Sequence, residues 1–326
     1  MIIAATVTLG GLAGCSKSEA DDTKTLILAH AMHVTHPVTL GMDYMAERLE
    51  EISGGKMVMN VYPAGQLGDE RSLLELVQLG AVAVTKVSGA SLENIVPDIR
   101  VLSLPYLFED DAHYRRVING EIGKALLDSG IPYKLKGLAY YDAGFRSFYT
   151  AGKPLHTPGD MRGMKIRVQP SVMAIGLIRQ LGGSPTPISY GELYTAFQGG
   201  IVDGAENNPP SYYSSRHYEV TDYYIINEHT AVPDILIIST TVWESLTSRQ
   251  QQWLRQAVEE SVAYQHELWT ASELESMQVV ADAGVEVIYP DKEPFRQQVE
   301  PIYDRFRQKY PNLYDSWVTQ IRNSRE

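Results

Sequence analysis

The chain has 326 residues, room for one large domain or two of ordinary size. Apolar residues make up 44 % and charged residues 21 %, a globular mix that excludes a disordered chain, while 28 basic against 40 acidic residues give a net charge of −12, the wrong sign for a nucleic-acid partner. The single cysteine excludes a disulfide framework and a thiolate zinc site, and no apolar run reaches the roughly 18–20 residues that span a bilayer.

Residues 1–14 are small and apolar, stop at Cys15, and give way to a polar stretch, Ser16 to Lys24. So short an apolar segment predicts an export signal rather than a membrane span. Leu12-Ala13-Gly14-Cys15 also resembles the bacterial lipobox, which would make Cys15 an acylated N-terminus and hold the body at a membrane surface outside the cytoplasm. No Lys or Arg precedes the apolar run, a departure from an ordinary signal.

From Thr25 onward strand and helix patterns alternate. Thr25–Ala29 predicts a strand, and Val38, Met42, Met45, Leu49 and Ile52 recur at helical spacing up to a Gly54-Gly55 cap. Met57–Tyr62 is the next strand, Asp69 caps a helix buried through Leu73, Leu76, Val77 and Leu79, and Ala81–Val87 returns as a strand. This βαβαβ order points to an α/β fold with mainly parallel, doubly wound sheets. Strands are predicted at Gly137–Tyr141, Arg146–Thr150, Lys165–Val168 and Ile235–Ser239, and a helix at Ser171–Leu181. Ser189-Tyr190-Gly191-Glu192 reads as a capping box opening a helix that ends at Gly199-Gly200. A helix from near Thr247 to about Ala283 would be about 50 Å long, enough to cross two lobes. No Pro- or Ser-rich linker separates two halves, so the chain must cross between them several times and make a hinge.

Neither a phosphate loop, G-x-G-x-x-G, G-x-S-x-G nor H-E-x-x-H occurs. His30, His33 and His36 lack the helical i,i+4 pairing of a metal site, so ligand contact or ordinary polar satisfaction is the better reading and no metal or cofactor is expected. Arg167, inside the apolar run Lys165–Val168 and just before a helix start, is costly to bury without an anionic partner. Its planar fork suits a carboxylate. Arg146 lies between aromatics in Gly144-Phe145-Arg146-Ser147-Phe148. Asp203–Pro210 reads as a stiff polar loop after a strand, a usual place for ligand contacts, with Tyr190 able to wall a ring. Glu192 and Glu206 form a possible carboxylate pair, except that Glu192 is taken by its cap.

Five segments, Gln66-Leu67-Gly68-Asp69-Glu70, Leu104-Pro105-Tyr106, Gly163 to Val168, Ser184-Pro185-Thr186-Pro187 and Val202 to Asn207, resemble in order and spacing the solute-binding proteins of the tripartite ATP-independent periplasmic (TRAP) transporters, dicarboxylate-binding type. The resemblance covers about residues 25 to 325. It implies a two-lobed periplasmic-binding-protein clamshell with the long helix spanning both lobes, divided as 25–144 plus 234–270 and 145–233 plus 271–326 after a signal and tether at 1–24. It also implies that Arg167 pairs with a ligand carboxylate, that Arg146 assists, that Asn207 orients the pair, and that the partners are an organic acid and separate membrane transporter subunits.

Arg167 to Ser171, Asn207 to Ser211 and Glu228-His229-Thr230 further resemble the hexuronate-binding branch. A uronate presents one carboxylate and several hydroxyls, so Glu70, Lys86, Asp234 and a histidine of the string, His33, become candidates for the hydroxyls and Tyr190 for the ring face. The alternatives are an extracytoplasmic enzyme on a sugar acid with His33 or His229 as base, a binder of another carboxylate, or the binding protein of an ATP-driven importer.

Overall fold

A computed structural model describes residues 23–325. Cys15 and the expected signal and tether up to residue 22 lie outside the described residues. In chain order the strands are β1 (Lys24–Ala29), β2 (Met57–Tyr62), β3 (Val84–Ser88), β4 (Leu135–Tyr141), β5 (Arg146–Thr150), β6 (Lys165–Val168), β7 (Ser184–Pro187), β8 (Gly204–Asn207), β9 (Tyr223–Thr230), β10 (Asp234–Ser239) and β11 (Glu286–Ile288). They form two sheets, β2-β1-β3-β10-β4 and β11-β9-β5-β8-β6-β7, each the centre of one lobe.

The pairing is more mixed than the βαβαβ opening predicts. Strands β2-β1-β3 and β8-β6-β7 pair parallel, as does β11 with β9, whereas β10 runs antiparallel to β3 and β4, and β5 antiparallel to β8 and β9. The antiparallel strands are those flanking the two short crossings, 142–145 and 231–233. In each sheet one of these strands runs out towards the other lobe and the other comes back from it, so β4 and β10, and likewise β9 and β5, lie antiparallel.

Local chemistry explains most helix ends. The helix Pro37–Ser53 begins at His36, whose side chain accepts from the Val38 amide, and stops at Gly54 with φ 63°. Its stripe of Val38, Met42, Met45 and Leu49 packs with Leu26 and Leu28 of β1. Asp69 caps Glu70–Gln78 through the Ser72 amide as expected, but Leu79 falls after the last turn and is 77 % exposed, while Leu74 is buried in its stead. The Ser189–Glu192 capping box does not form. Tyr190–Glu192 is a 3-10 turn without a side-chain cap, and Ser189 Oγ instead donates to Asp69 Oδ2 at 2.9 Å. The stiff loop expected at Asp203–Pro210 is strand β8 followed by the helix Pro209–Ser214, which Asn208 caps through the Ser211 amide. The two prolines that suggested a rigid loop occupy the first helical turn, where no amide donor is needed.

The helix Ser248–Asp282 has 35 residues and starts from a Thr247–Gln250 capping box. It lies against the helix Pro37–Ser53 in one lobe and the helix Pro209–Ser214 in the other. Midway it pins the first crossing: Gln265 exchanges two bonds with the Asp142 backbone, at 2.9 and 3.0 Å, and His266 Nδ1 reaches Asp142 Oδ2 at 2.6 Å. Gly144 in that crossing has φ +56°, and an added Cβ would come within 2.6 Å of Glu273 Oε1, so this turn requires glycine. The chain end returns across the first lobe: Tyr303 donates to the Pro105 carbonyl and His113 Nε2 lies 3.0 Å from the Ile321 carbonyl.

Candidate functional site

The cleft between the two lobes holds a cavity of about 840 Å³ whose walls include Asp69 and Glu70 from one side and Arg167, Gln169, Ser189 and Tyr190 from the other. Its edges are bonded across: beside the Ser189–Asp69 contact, Ser88 Oγ lies 3.3 Å from Gln169 Oε1, and His36 Nε2 lies 3.1 Å from Ser211 Oγ. Glu93 Oε1 accepts from Ser171 Oγ at 2.6 Å and from the Met173 amide at 3.0 Å, so a carboxylate from the first lobe completes the helix start next to Arg167.

Arg167 emerges from β6 with 1 % of its surface exposed. Nε donates to the Ile188 carbonyl at 2.8 Å, and Nη1 is buried with no hydrogen-bond partner among the described residues. Burial pulls its pKa below the ordinary arginine value. This is a buried cation lining a cavity, with no ion-pair contact among the described residues and only the field of the more distant Glu206 in its favour.

Arg146 on β5 is a contrast. Nε and Nη2 hold both carboxylate oxygens of Glu206, Nη2 also reaches the Glu206 carbonyl at 2.8 Å, and Nη1 donates to Asn207 Oδ1 at 2.8 Å. Burial opposes ionisation of Glu206, but Arg146 and His229 outweigh it and hold the carboxyl at about 2. The His229 ring stacks on Phe148 at 4.2 Å, with Nε2 3.7 Å from Glu206 Oε2. Asn207 Oδ1 also accepts from the Asn208 amide at 3.0 Å, which leaves its NH₂ group as the outward donor. The Glu192–Glu206 pair therefore does not exist; Glu206 belongs to Arg146.

On the facing wall Glu70, Lys86 and Asp234 form one cluster. Lys86 Nζ lies 3.0 Å from Asp234 Oδ1 and 3.3 Å from Glu70 Oε1. Glu70 also accepts from the Ser88 amide at 3.0 Å and from Ser91 Oγ at 2.6 Å. Burial works against the Lys86 charge, yet the two carboxylates raise its pKa above the usual lysine value. Tyr190 stands on the Arg167 side: its hydroxyl bonds the Ser211 carbonyl at 3.2 Å and Ser215 Oγ, and it sits in the fields of both Lys86 and Arg167.

His33 is the expectation the structure corrects. It is exposed and bonds its neighbour Thr35, because the chain turns outward between β1 and the helix at Pro37. His30 and His36 are the buried members, each 0 % exposed. Of the remaining candidates, Arg167, Tyr190 and Glu70 line the cavity directly. Lys86 and Asp234 stand behind Glu70, and Arg146 and Asn207 bind one another. The sequence reading missed Gln169, Ser88 and Ser91; Gln169 follows Arg167-Val168 at the strand's end and could have been found there, whereas the serines carry no signal. No group of His, Cys, Asp and Glu able to hold a metal occurs among the described residues. A second cavity, about 810 Å³, lies between Phe145, His266, Trp269 and Lys292. Its basic groups include Arg115, bonded to Asp111 and Asp142, and Lys292, bonded to Glu228.

Two mixed sheets, a bonded cleft and a helix along both lobes define a periplasmic-binding-protein fold. The family model described as DctP, bacterial extracellular solute-binding protein, family 7, matches residues 28–309, and the chain belongs to that family. It is a TRAP-type solute-binding protein, as the five motifs imply. A solute-binding protein of Chromohalobacter salexigens is 35 % identical over 89 % of this chain and 86 % of its own length. Among solved structures, a TRAP periplasmic solute-binding protein from Sulfitobacter with bound β-D-galacturonate is 36 % identical with a TM-score of 0.90, covering 92 % of this chain and 100 % of its own. One from Chromohalobacter salexigens with bound D-glucuronate is 34 % identical with a TM-score of 0.89, covering 92 % and 99 %. Proteins of this class bind small organic acids and work with membrane transporter subunits.

Proposed function

We propose that this protein captures a hexuronate, galacturonate or glucuronate, outside the cytoplasm and delivers it to the membrane subunits of a TRAP transporter without changing it chemically. The observation that carries the reading is Arg167, a buried guanidinium that lines the cavity and whose Nη1 has no hydrogen-bond partner among the described residues. A ligand carboxylate supplies the missing charge, and the hydroxyls of a sugar acid meet Glu70 and the Tyr190 ring. Asn207, held by Arg146, orients the carboxylate from the side, so Arg146 assists through Asn207 rather than by direct contact. The galacturonate and glucuronate seated in the two similar structures support this choice of acid.

In this reading the lobes are 25–144 with 234–270 and 145–233 with 271–326, the end of the second reaching back over the first at Pro105 and His113; the crossings 142–145 and 231–233 are the hinge, and ligand contacts to both walls favour the closed arrangement. Export and acylation at Cys15 hold the body at the membrane; mass spectrometry of the mature N-terminus tests this, and an unmodified or internal Cys15 contradicts it.

Thermal-shift screening against hexuronates, aldonates, four-carbon dicarboxylates, keto acids and sialic acid tests the ligand. An acid at 100 times its dissociation constant contributes about 2.7 kcal/mol of stability. The hexuronates should give the largest shift. Succinate or malate binding as tightly as galacturonate contradicts the assignment, and conversion of any acid to product contradicts the pure-binder reading.

A further inference from the structure

The lobe wall opposite Arg167 has an electrostatic character that the ligand reading alone does not use. Two carboxylates, Glu70 and Asp234, share the single ammonium of Lys86, with the three side chains 12 %, 9 % and 2 % exposed. Glu70 is the member that reaches the cavity. Burial raises the Asp234 pKa, and Glu70 adds to that rise, even though Lys86 sits 3.0 Å away. The cluster therefore already carries more negative charge than it holds comfortably, and a further carboxylate placed against it would meet repulsion in a water-poor site.

His30, the residue after β1, is buried beside this wall. It is 0 % exposed, its neighbour Ala31 lines the cavity, and its carbonyl accepts from the amide of Gly65, another lining residue. Nδ1 accepts from the Met32 amide at 3.3 Å, which places the ring proton on Nε2. Nε2 has no hydrogen-bond partner among the described residues. Burial, and after it the Lys86 charge, lowers the His30 pKa to about 3, so the ring stays neutral at physiological pH. A neutral N–H of this kind serves a hydroxyl or ring oxygen and supplies no charge for a second anion.

We propose that His30 and the Lys86–Glu70–Asp234 cluster make the first-lobe wall a subsite for neutral oxygen that rejects a second carboxylate, so the protein takes hexuronates and refuses the corresponding hexarates. This rests on the hexuronate reading and sharpens it: Arg167 takes the one carboxylate, and the far end of the ligand must be uncharged. The assignment also replaces the exposed His33 by His30 as the histidine of the site.

The test is calorimetric titration of the wild-type protein with galacturonate and with the open-chain pair galactonate and galactarate, which differ from each other only in oxidation of the far carbon to a carboxylate. Galactarate should bind at least tenfold more weakly than galactonate. A ratio under tenfold overturns the inference while leaving the hexuronate reading standing, and a protein that does not bind galacturonate refutes that reading and this inference with it. Asp234→Asn removes one negative charge at nearly constant shape and should narrow the gap between galactonate and galactarate by about tenfold. His30→Phe, lacking the donor, should weaken galacturonate about tenfold, with His30→Gln, which keeps one, recovering part of it; a His30→Phe protein that binds like wild type contradicts the role given to Nε2.

Discussion

Arg146 and Arg167 come from strands of the same sheet, both are buried, and they have opposite electrostatic situations. Arg146 spends its guanidinium on Glu206 and Asn207, and Glu206 outweighs the cost of burial to raise its pKa. Arg167 has one backbone carbonyl and an Nη1 without a partner among the described residues, and burial lowers its pKa. The first arrangement stabilises the empty protein; the second leaves a cost that a ligand carboxylate removes. A guanidinium kept from an internal counter-ion is a way of storing affinity, and its neighbour, fully paired, supplies the rigid frame that keeps the stored charge correctly aimed.

The sharpest way to break that contrast is to remove each arginine in turn. Arg167→Ala should cost galacturonate binding roughly 3–5 kcal/mol, or about two to three and a half decades in Kd. Arg167→Lys should fail as well, because a point charge cannot replace the fork. Calorimetry showing either within threefold of wild type places the anchor elsewhere. Arg167→Met, similar in volume, should leave the melting temperature of the ligand-free protein unchanged or raised.

Glu206→Ala should act on stability instead. It strands Arg146 as a buried charge, at a cost of roughly 3–5 kcal/mol in denaturant unfolding. A loss below 1 kcal/mol would mean that the Arg146 pair is not the frame.

Acid should act on the frame in a defined direction. Glu206 has its folded pKa lowered to about 2, so its contribution is present above the ordinary carboxylate range and is lost as pH falls from about 4.5 towards 2. The buried histidines His30, His36, His217 and His229 have folded values below the ordinary one, so the unfolded chain binds their protons first and stability declines as pH falls below about 6.5. Glu93 and Asp234, whose values are raised by burial, run the other way and blunt the loss. The melting temperature should still fall between pH 7 and 4; a flat or rising profile would contradict this balance. The smallest effect belongs to Thr247→Ala, which removes the cap of the Ser248–Asp282 helix and should cost about 1 kcal/mol without changing Kd.

Elements that depend on near neighbours were legible in the sequence: the Thr247 cap, the Gly54 stop, the Met42-Met45-Leu49 stripe and the strand bearing Arg167. What was not legible depends on the path of the chain in three dimensions. Ser189 looks like a helix cap until Asp69 arrives from across the cleft to take its hydroxyl. Asn208 and the two prolines after it look like a loop until the helix Pro209–Ser214 docks on the long helix. Among His30, His33 and His36, only the path of the chain past Pro37 decides which ring is buried, and spacing carries no trace of that. Arg146 and Arg167 both sit in short strand-like stretches rich in apolar residues; Glu206, 60 positions from Arg146, separates their roles.

The central claim is tested most directly by a crystal structure of the protein with galacturonate. The account predicts the ligand carboxylate within hydrogen-bond distance of Arg167 Nη1, with Arg146 still bonded to Glu206 and Asn207. A carboxylate seated on Lys86, or one that displaces Glu206 from Arg146, would contradict it.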